Sequence, residues 1–315
     1  MIARIVVAIA IVAACGGKPQ PTSSAPSVRH PATAAERVLA MLPDGAQIVV
    51  ELDLARLRAN PVVGAMVARA IAPWAAPARM PGGLDRLPDR LADHVGIADA
   101  VVIAAYGIGT SQAATVTVVV ATTEVPEATR LADGIYALGP TEWIAQLEGR
   151  AALIANGNPI AAAPELLELR DRAMPDGAPG ASLRVTARLP FDARIALARL
   201  TGLPGAPSRL SLWGDVVDDL AIIVDADAAD PGERASKKSA ARLIATIRAA
   251  LSVVAGDPTA RALGLSPSLT GAKLVAHGTW VRAILAVGPR RLQRVVERAN
   301  ALFSAPANPV ESRSN

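Results

Sequence analysis

Asp225, Asp227, Asp230 and Glu233 fall within nine residues of one another, and hard oxygen ligands at such short spacing suit calcium. The spacing departs from an EF-hand loop: the third acidic residue comes one place late, Gly232 follows two further places late, and no glutamate stands at the twelfth position. The run therefore reads as a solvated loop between a strand and a helix, with Asp230 and Glu233 favourable near the helix amino end. Asp215, Asp218 and Asp219 read as a turn that blunts a sheet edge. Gly107-Ile108-Gly109-Thr110 lacks the third glycine and the following helix of a phosphate cradle, so it reads as a hairpin connection. No Gly-x-Ser-x-Gly elbow occurs, and His30, His94 and His277 lie far apart. A triad assembled from distant segments stays open. Tyr106, Trp143, Trp213 and Trp280 fall in or beside strands and read as sheet packing. The sequence thus assigns no catalytic residue, no metal ligand and no cofactor.

One charged pattern resists a purely structural reading. Near the carboxyl end, Leu292, Val295, Val296, Ala299, Leu302 and Phe303 recur at helical spacing, while Arg290, Arg291, Arg294 and Arg298 load the other side. Two of these arginines stand in the first turn, where the helix dipole disfavours cations by at least a few tenths of a kcal/mol. The four are candidate contacts for an anionic partner, whether a lipid headgroup or an acidic protein surface. Solvation, or pairing within the fold, is the competing explanation.

The elements that must carry these residues follow from composition and periodicity. The chain has 315 residues, 51% hydrophobic and 19% charged, which excludes wholesale disorder and supplies one large core or two medium ones. A net charge of +4 from 32 basic and 28 acidic residues, with 3% aromatics, does not make a nucleic-acid footprint. A single cysteine excludes an internal disulfide, so stability must come from packing.

The amino terminus has its own logic. Arg4 precedes an apolar run from Ile5 to Ala14, only ten residues and roughly 15 Å as a helix, against a hydrocarbon core of about 30 Å. This is the pattern of a cleaved secretory signal. Val12-Ala13-Ala14-Cys15 resembles the lipobox of bacterial lipoproteins, with valine in place of the commoner leucine. The resemblance implies cleavage before Cys15, a diacylglyceryl thioether and an amide-linked acyl chain on it, and anchoring in the cell envelope. Gly16 in place of aspartate points to the outer membrane rather than the inner one. Proline, glycine and serine from Gly16 to Pro31 read as a tether, and Ser304 to Asn315 as a tail.

The body between them reads as α+β with mainly antiparallel sheets, in two pseudo-repeated halves of β-α-β-β-α-β-β-α order, 33–175 and 176–303. The strands expected are Gln47 to Leu54, Ala100 to Ala105 and Ala114 to Ala121 in the first half; Ser182 to Leu189, Arg209 to Trp213 and Leu220 to Asp225 in the second. Alternation places Arg184, Thr186 and Arg188 on one face of their strand. Each half is expected to have a helix after its third strand; in the second half Ala240, Leu243, Ile244, Ile247, Leu251 and Val254 mark it. Each is then expected to close with a hairpin, Trp143 to Leu147 with Ala151 to Ala155 and Lys273 to His277 with Val281 to Val287, and a helix starting near Pro159 or Pro164 and near Pro289. Asn60 before Pro61 reads as a helix N-cap, and the segment from Pro73 to Pro88 as a surface connection long enough to cover a groove.

Leu42-Pro43-Asp44-Gly45 with Val49-Val50-Glu51-Leu52-Asp53-Leu54 and Arg56-Leu57-Arg58-Ala59-Asn60-Pro61 resembles the start of a family of uncharacterised bacterial envelope lipoproteins. The resemblance implies an envelope location and an α+β body, and brings no activity. The functional expectation is a lipid-anchored envelope protein acting by non-catalytic binding, as a scaffold or interaction module. Its membrane contact is the anchor, its further partner is an envelope protein or a hydrophobic ligand, and nucleic acid is not expected. The alternatives are a carrier for a hydrophobic ligand held between the halves, and a hydrolase with dispersed residues.

Overall fold

The computed structural model describes residues 33–71, 97–201 apart from 159, 161 and 179, 206–227, and 237–304. The signal peptide, Cys15, the tether, His30, the segment from Pro73 to Pro88, His94, Asp230, Glu233 and the tail after Ser304 lie outside the described residues; Ser304 itself, expected in the tail, ends a helix.

Strand-forming segments assemble into one antiparallel sheet of ten strands, in the order β4-β5-β3-β2-β1-β6-β7-β8-β10-β9. They are β1 (Ile48–Asp53), β2 (Ala98–Tyr106), β3 (Ala114–Ala121), β4 (Thr129–Ala132), β5 (Ile135–Leu138), β6 (Leu183–Arg188), β7 (Arg209–Val216), β8 (Leu220–Asp227), β9 (Lys273–His277) and β10 (Trp280–Val287). The described helices are α1 (Ala34–Val38), α2 (Leu54–Ala59), α3 (Gly64–Ile71), α4 (Thr141–Ala155), α5 (Pro164–Arg172), α6 (Phe191–Thr201), α7 (Lys237–Ala255), α8 (Pro258–Leu263), α9 (Ser266–Thr270) and α10 (Pro289–Ser304). Read outward from the β1–β6 junction, both halves run first, second, third, fifth, fourth strand. The junction pairs Val50 with Val185 and Glu51 with Arg184, so the sheet passes from one half to the other without a cleft.

The order of elements is less symmetric than the sequence suggests. The second half follows β-α-β-β-α-β-β-α, with α7, α8 and α9 together in the place of one helix. In the first half no helix separates β3 from β4. The hairpin expected from Trp143 to Ala155 is instead the helix α4, and the hairpin itself lies earlier, at β4 and β5. The physical reason is visible in α4: Ile144, Leu147 and Ala151 are its buried residues, at three- and four-residue spacing, whereas alternation in so short a segment fits either period. Asn60 follows α2 and caps the turn into α3 by accepting from the Val62 and Val63 N–H groups at 2.9 and 3.0 Å.

Apolar cores lie on opposite faces of the sheet in the two halves. Val49, Val102, Val116 and Val118 pack under α1 and α4, around Leu147 and Val38. Val185, Leu212, Val224 and Leu285 face the other way, under α7 to α10, around Leu251, Leu269 and Leu292. β3 is buried along its whole length because a further cluster of Leu54, Val101, Val119 and Tyr136 covers its second face. Gly107-Ile108-Gly109 is the expected connection between β2 and β3: Ile108 is buried against Leu189 and Ala193, and a Cβ on Gly109, at φ +85°, would stand 3.0 Å from the Asp192 carbonyl oxygen.

Candidate functional site

What the second half leaves on its other face is largely polar, around a small apolar cluster of Ala173, Ala181 and Trp213. With Val185 and Leu212 turned to the α7–α10 core, strand alternation turns Arg184 and Thr186 of β6, Ser211 and Asp215 of β7, Asp225 and Asp227 of β8 and Arg282 of β10 to the opposite side. Helix α5 crosses this face and buries Leu166, Leu169 and Arg170.

Buried charge is costly unless paired, and here the pairing is dense. Arg170 donates from Nε and Nη2 to the two Glu51 carboxylate oxygens at 2.6 and 2.8 Å, and from Nη2 to Glu36 at 2.8 Å. Burial alone would lower the Arg170 guanidinium, but the bonds and charges of Glu51 and Glu36 outweigh it and hold it above its ordinary value. Arg184, beside it, is shifted the other way by burial and by the charge of Arg170. Its Nη1 lies 3.3 Å from Asp171.

Further along the face, Arg282 donates from Nε and Nη2 to both oxygens of Asp225 at 2.8 and 2.7 Å. Complete burial raises the Asp225 carboxyl against the pull of Arg282 and Arg172, while its hydrogen bond raises Arg282. Asp227 accepts from Arg172 at 2.6 Å and from Arg209 at 2.5 Å. Asp215 takes Arg56 through two bonds of 2.8 and 2.6 Å and the Ser182 hydroxyl at 2.6 Å. The bond to Asp215 raises Arg56.

These positions correct two expectations. Asp225 and Asp227 are not in a solvated loop but at the buried end of β8, because arginines on α5, β7 and β10 face them. Asp215 does not blunt an edge, since β7 lies between β6 and β8. Among the described residues no three His, Cys, Asp or Glu are grouped as a metal site.

At the rim of this face opens a groove of about 1110 Å³, between α5, the start of α6 and the first residues of β7. Glu165, Arg172, Arg188, Arg194 and Arg209 line it, and Phe191, 66% exposed, stands at its mouth. Arg188 pairs with Glu165 across it. Ser208 is in the lining and no histidine is. His277 lies on β9, stacked on Trp280 at 4.4 Å, with the Arg282 guanidinium 5.0 Å from the Trp280 ring. Trp213 packs as expected and donates to the Gly180 carbonyl at 2.8 Å; Tyr106 stacks on Trp143 at 4.0 Å and donates to the Pro43 carbonyl at 3.1 Å.

The carboxyl-terminal arginines lie elsewhere, on the helical layer covering the opposite face. Arg290, Arg291, Arg294 and Arg298 are all exposed on α10, whose Leu292, Val295 and Ala299 are buried; the side chains of Leu302 and Phe303 lie outside the described residues. Arg291 donates to the Ser268 hydroxyl at 3.0 Å, and Arg298 lies over Gly264, where a Cβ would meet its Nη1 at 1.9 Å.

The paired face was only partly legible in the sequence. The alternation of Arg184, Thr186 and Arg188 marks it, and so does Glu51 after the apolar run Ile48-Val49-Val50. The partners Glu36, Arg56, Arg170, Arg172 and Arg282 come from distant segments and carry no local signal.

No family model and no curated protein matches the chain. Among solved structures, one titled "Structure of crystal form I of TP0453" aligns with a TM-score of 0.41 at 9% identity, covering 84% of this chain and 99% of that one.

Proposed function

We propose that the chain is a lipid-anchored bacterial envelope protein that acts by non-catalytic binding, held through Cys15 in a membrane, on our reading the outer one. The observation that carries the binding reading is the state of the buried acids. Glu51, Asp215, Asp225 and Asp227 are the buried carboxylates among the described residues, and each is held by at least one guanidinium. A general acid or base needs a proton or lone pair free for substrate, and these four are spent on holding strands and helices together. What remains for partners is surface: a ten-stranded sheet covered by helices, a charged groove and an arginine-bearing helix. A carrier would call for an apolar cavity between the halves; the halves instead share one sheet, and the groove beside their junction is lined by ion pairs. The anchor is supported by the short apolar run and the four residues ending at Cys15.

The test is fractionation of cells producing the chain. The wild type is expected in the membrane fraction and Cys15→Ser as a soluble form or an uncleaved precursor. A Cys15→Ser protein processed and membrane-bound like the wild type would overturn the anchor.

A further inference from the structure

Charge in this chain is segregated by layer. Residues 237–304 hold 11 of the 32 basic residues and two of the 28 acidic ones, a net +9 within a chain whose total is +4. Arg282 belongs to the paired face behind the sheet, so the excess rests mainly on helices α7 to α10. The two acids do little to balance it: Asp257 caps α8 by accepting from the Thr259 and Ala260 N–H groups, and Glu297 stands alone among the arginines of α10. Arg242 and Arg248 on α7, Arg261 on α8 and the four arginines of α10 are exposed, and none forms an ion pair among the described residues.

The geometry points to this helical layer as a docking surface for an anionic phospholipid bilayer. Three observations favour a bilayer over other polyanions. The charge is spread over helices of roughly 28 and 24 Å, from 19 and 16 residues, and so forms a broad face rather than a groove. Beside Arg242 and Arg248, exposed Ala245, Ala249 and Val253 leave an apolar surface on α7, with Val253 70% exposed, suited to the boundary between headgroups and acyl chains. No described aromatic side chain is exposed on these helices to stack on bases. The inference rests on the anchor proposed above, which would hold the body beside such a surface. A basic residue near an anionic leaflet strengthens binding about fivefold, so several acting together make an appreciable contact.

The test uses the full chain with Cys15→Ala, mixed with vesicles of phosphatidylcholine alone or with about one-third phosphatidylglycerol. Partitioning is expected to be at least about tenfold stronger into the anionic vesicles and to weaken as salt rises. Arg242→Gln, Arg248→Gln, Arg290→Gln and Arg294→Gln together should remove that preference with an unchanged circular dichroism spectrum. Arg37→Gln, Arg130→Gln and Arg199→Gln together, exposed elsewhere, should retain it. Equal partitioning into both vesicle types, equal loss in the two variants, or tighter retention on double-stranded DNA than on anionic vesicles would overturn the proposal. Failure of the anchor is seen separately, as an intact mass without acyl chains.

Discussion

Arg170→Met removes the guanidinium at the centre of the paired face and leaves its volume largely filled. Glu51, 3% exposed, then keeps a charge that water cannot reach, and Glu36 loses its bond to Arg170. Losing one member of a buried pair costs about 3–5 kcal/mol, because the survivor is uncompensated. Arg184 sits directly across the β1–β6 pairing from Glu51 and its charge couples to Glu51, which places the expected cost near the lower end, at about 3 kcal/mol. Adding Glu51→Met removes the orphan charge, and the double variant should recover at least about half of that loss. Urea unfolding followed by circular dichroism measures both. A single variant within about 1 kcal/mol of the wild type would refute the reasoning. It would mean that the face is not held together by its charges, and the buried acids would again be available for chemistry.

Two further outcomes are expected. Burial raises the Asp225 carboxyl, so the folded chain takes up that proton at higher pH than the unfolded one; the associated stability is full in acid and lost as pH rises through the folded value. The unfolding free energy of the wild type relative to Asp225→Asn should therefore fall from acid toward neutral pH in urea titrations, and a rise would show that Arg282 dominates instead. Asn60→Ala removes two bonds that cap the entry to α3 and two that its amide donates to the Val216 and Val217 carbonyls, at 2.9 Å each; a loss of about 1–2 kcal/mol is expected by thermal unfolding, and no loss would reject the role of this side chain as a tie between the halves.

Local pattern carried much of the fold. β1, β3 and β6 follow from β-branched or alternating segments, and α7 from apolar residues at helical spacing. The segment from Trp143 to Ala155 misled because its alternation is short and its helix is fixed by packing of Leu147 against the sheet. Which face of each strand would be apolar was a tertiary matter: β6 is nearly buried throughout, yet Arg184 and Thr186 are covered by α5 and its arginine. Asp225 and Asp227 show the same gap, since a carboxylate in sequence looks solvated until the arginine that buries it is placed. The arginines of α10 were visible as a helix face, whereas their membership in a basic layer depends on α8 packing against both α10 and α7 over one apolar core.

The most direct measurement is the intact mass of the protein extracted gently from its native membrane, taken first under native and then under denaturing conditions. The expected result is a denatured mass for a chain beginning at an acylated Cys15, with no reproducible extra mass retained in the native state. An unmodified mass would contradict the lipid anchor, and a stoichiometric hydrophobic molecule released on denaturation would contradict the binding-module reading in favour of a carrier.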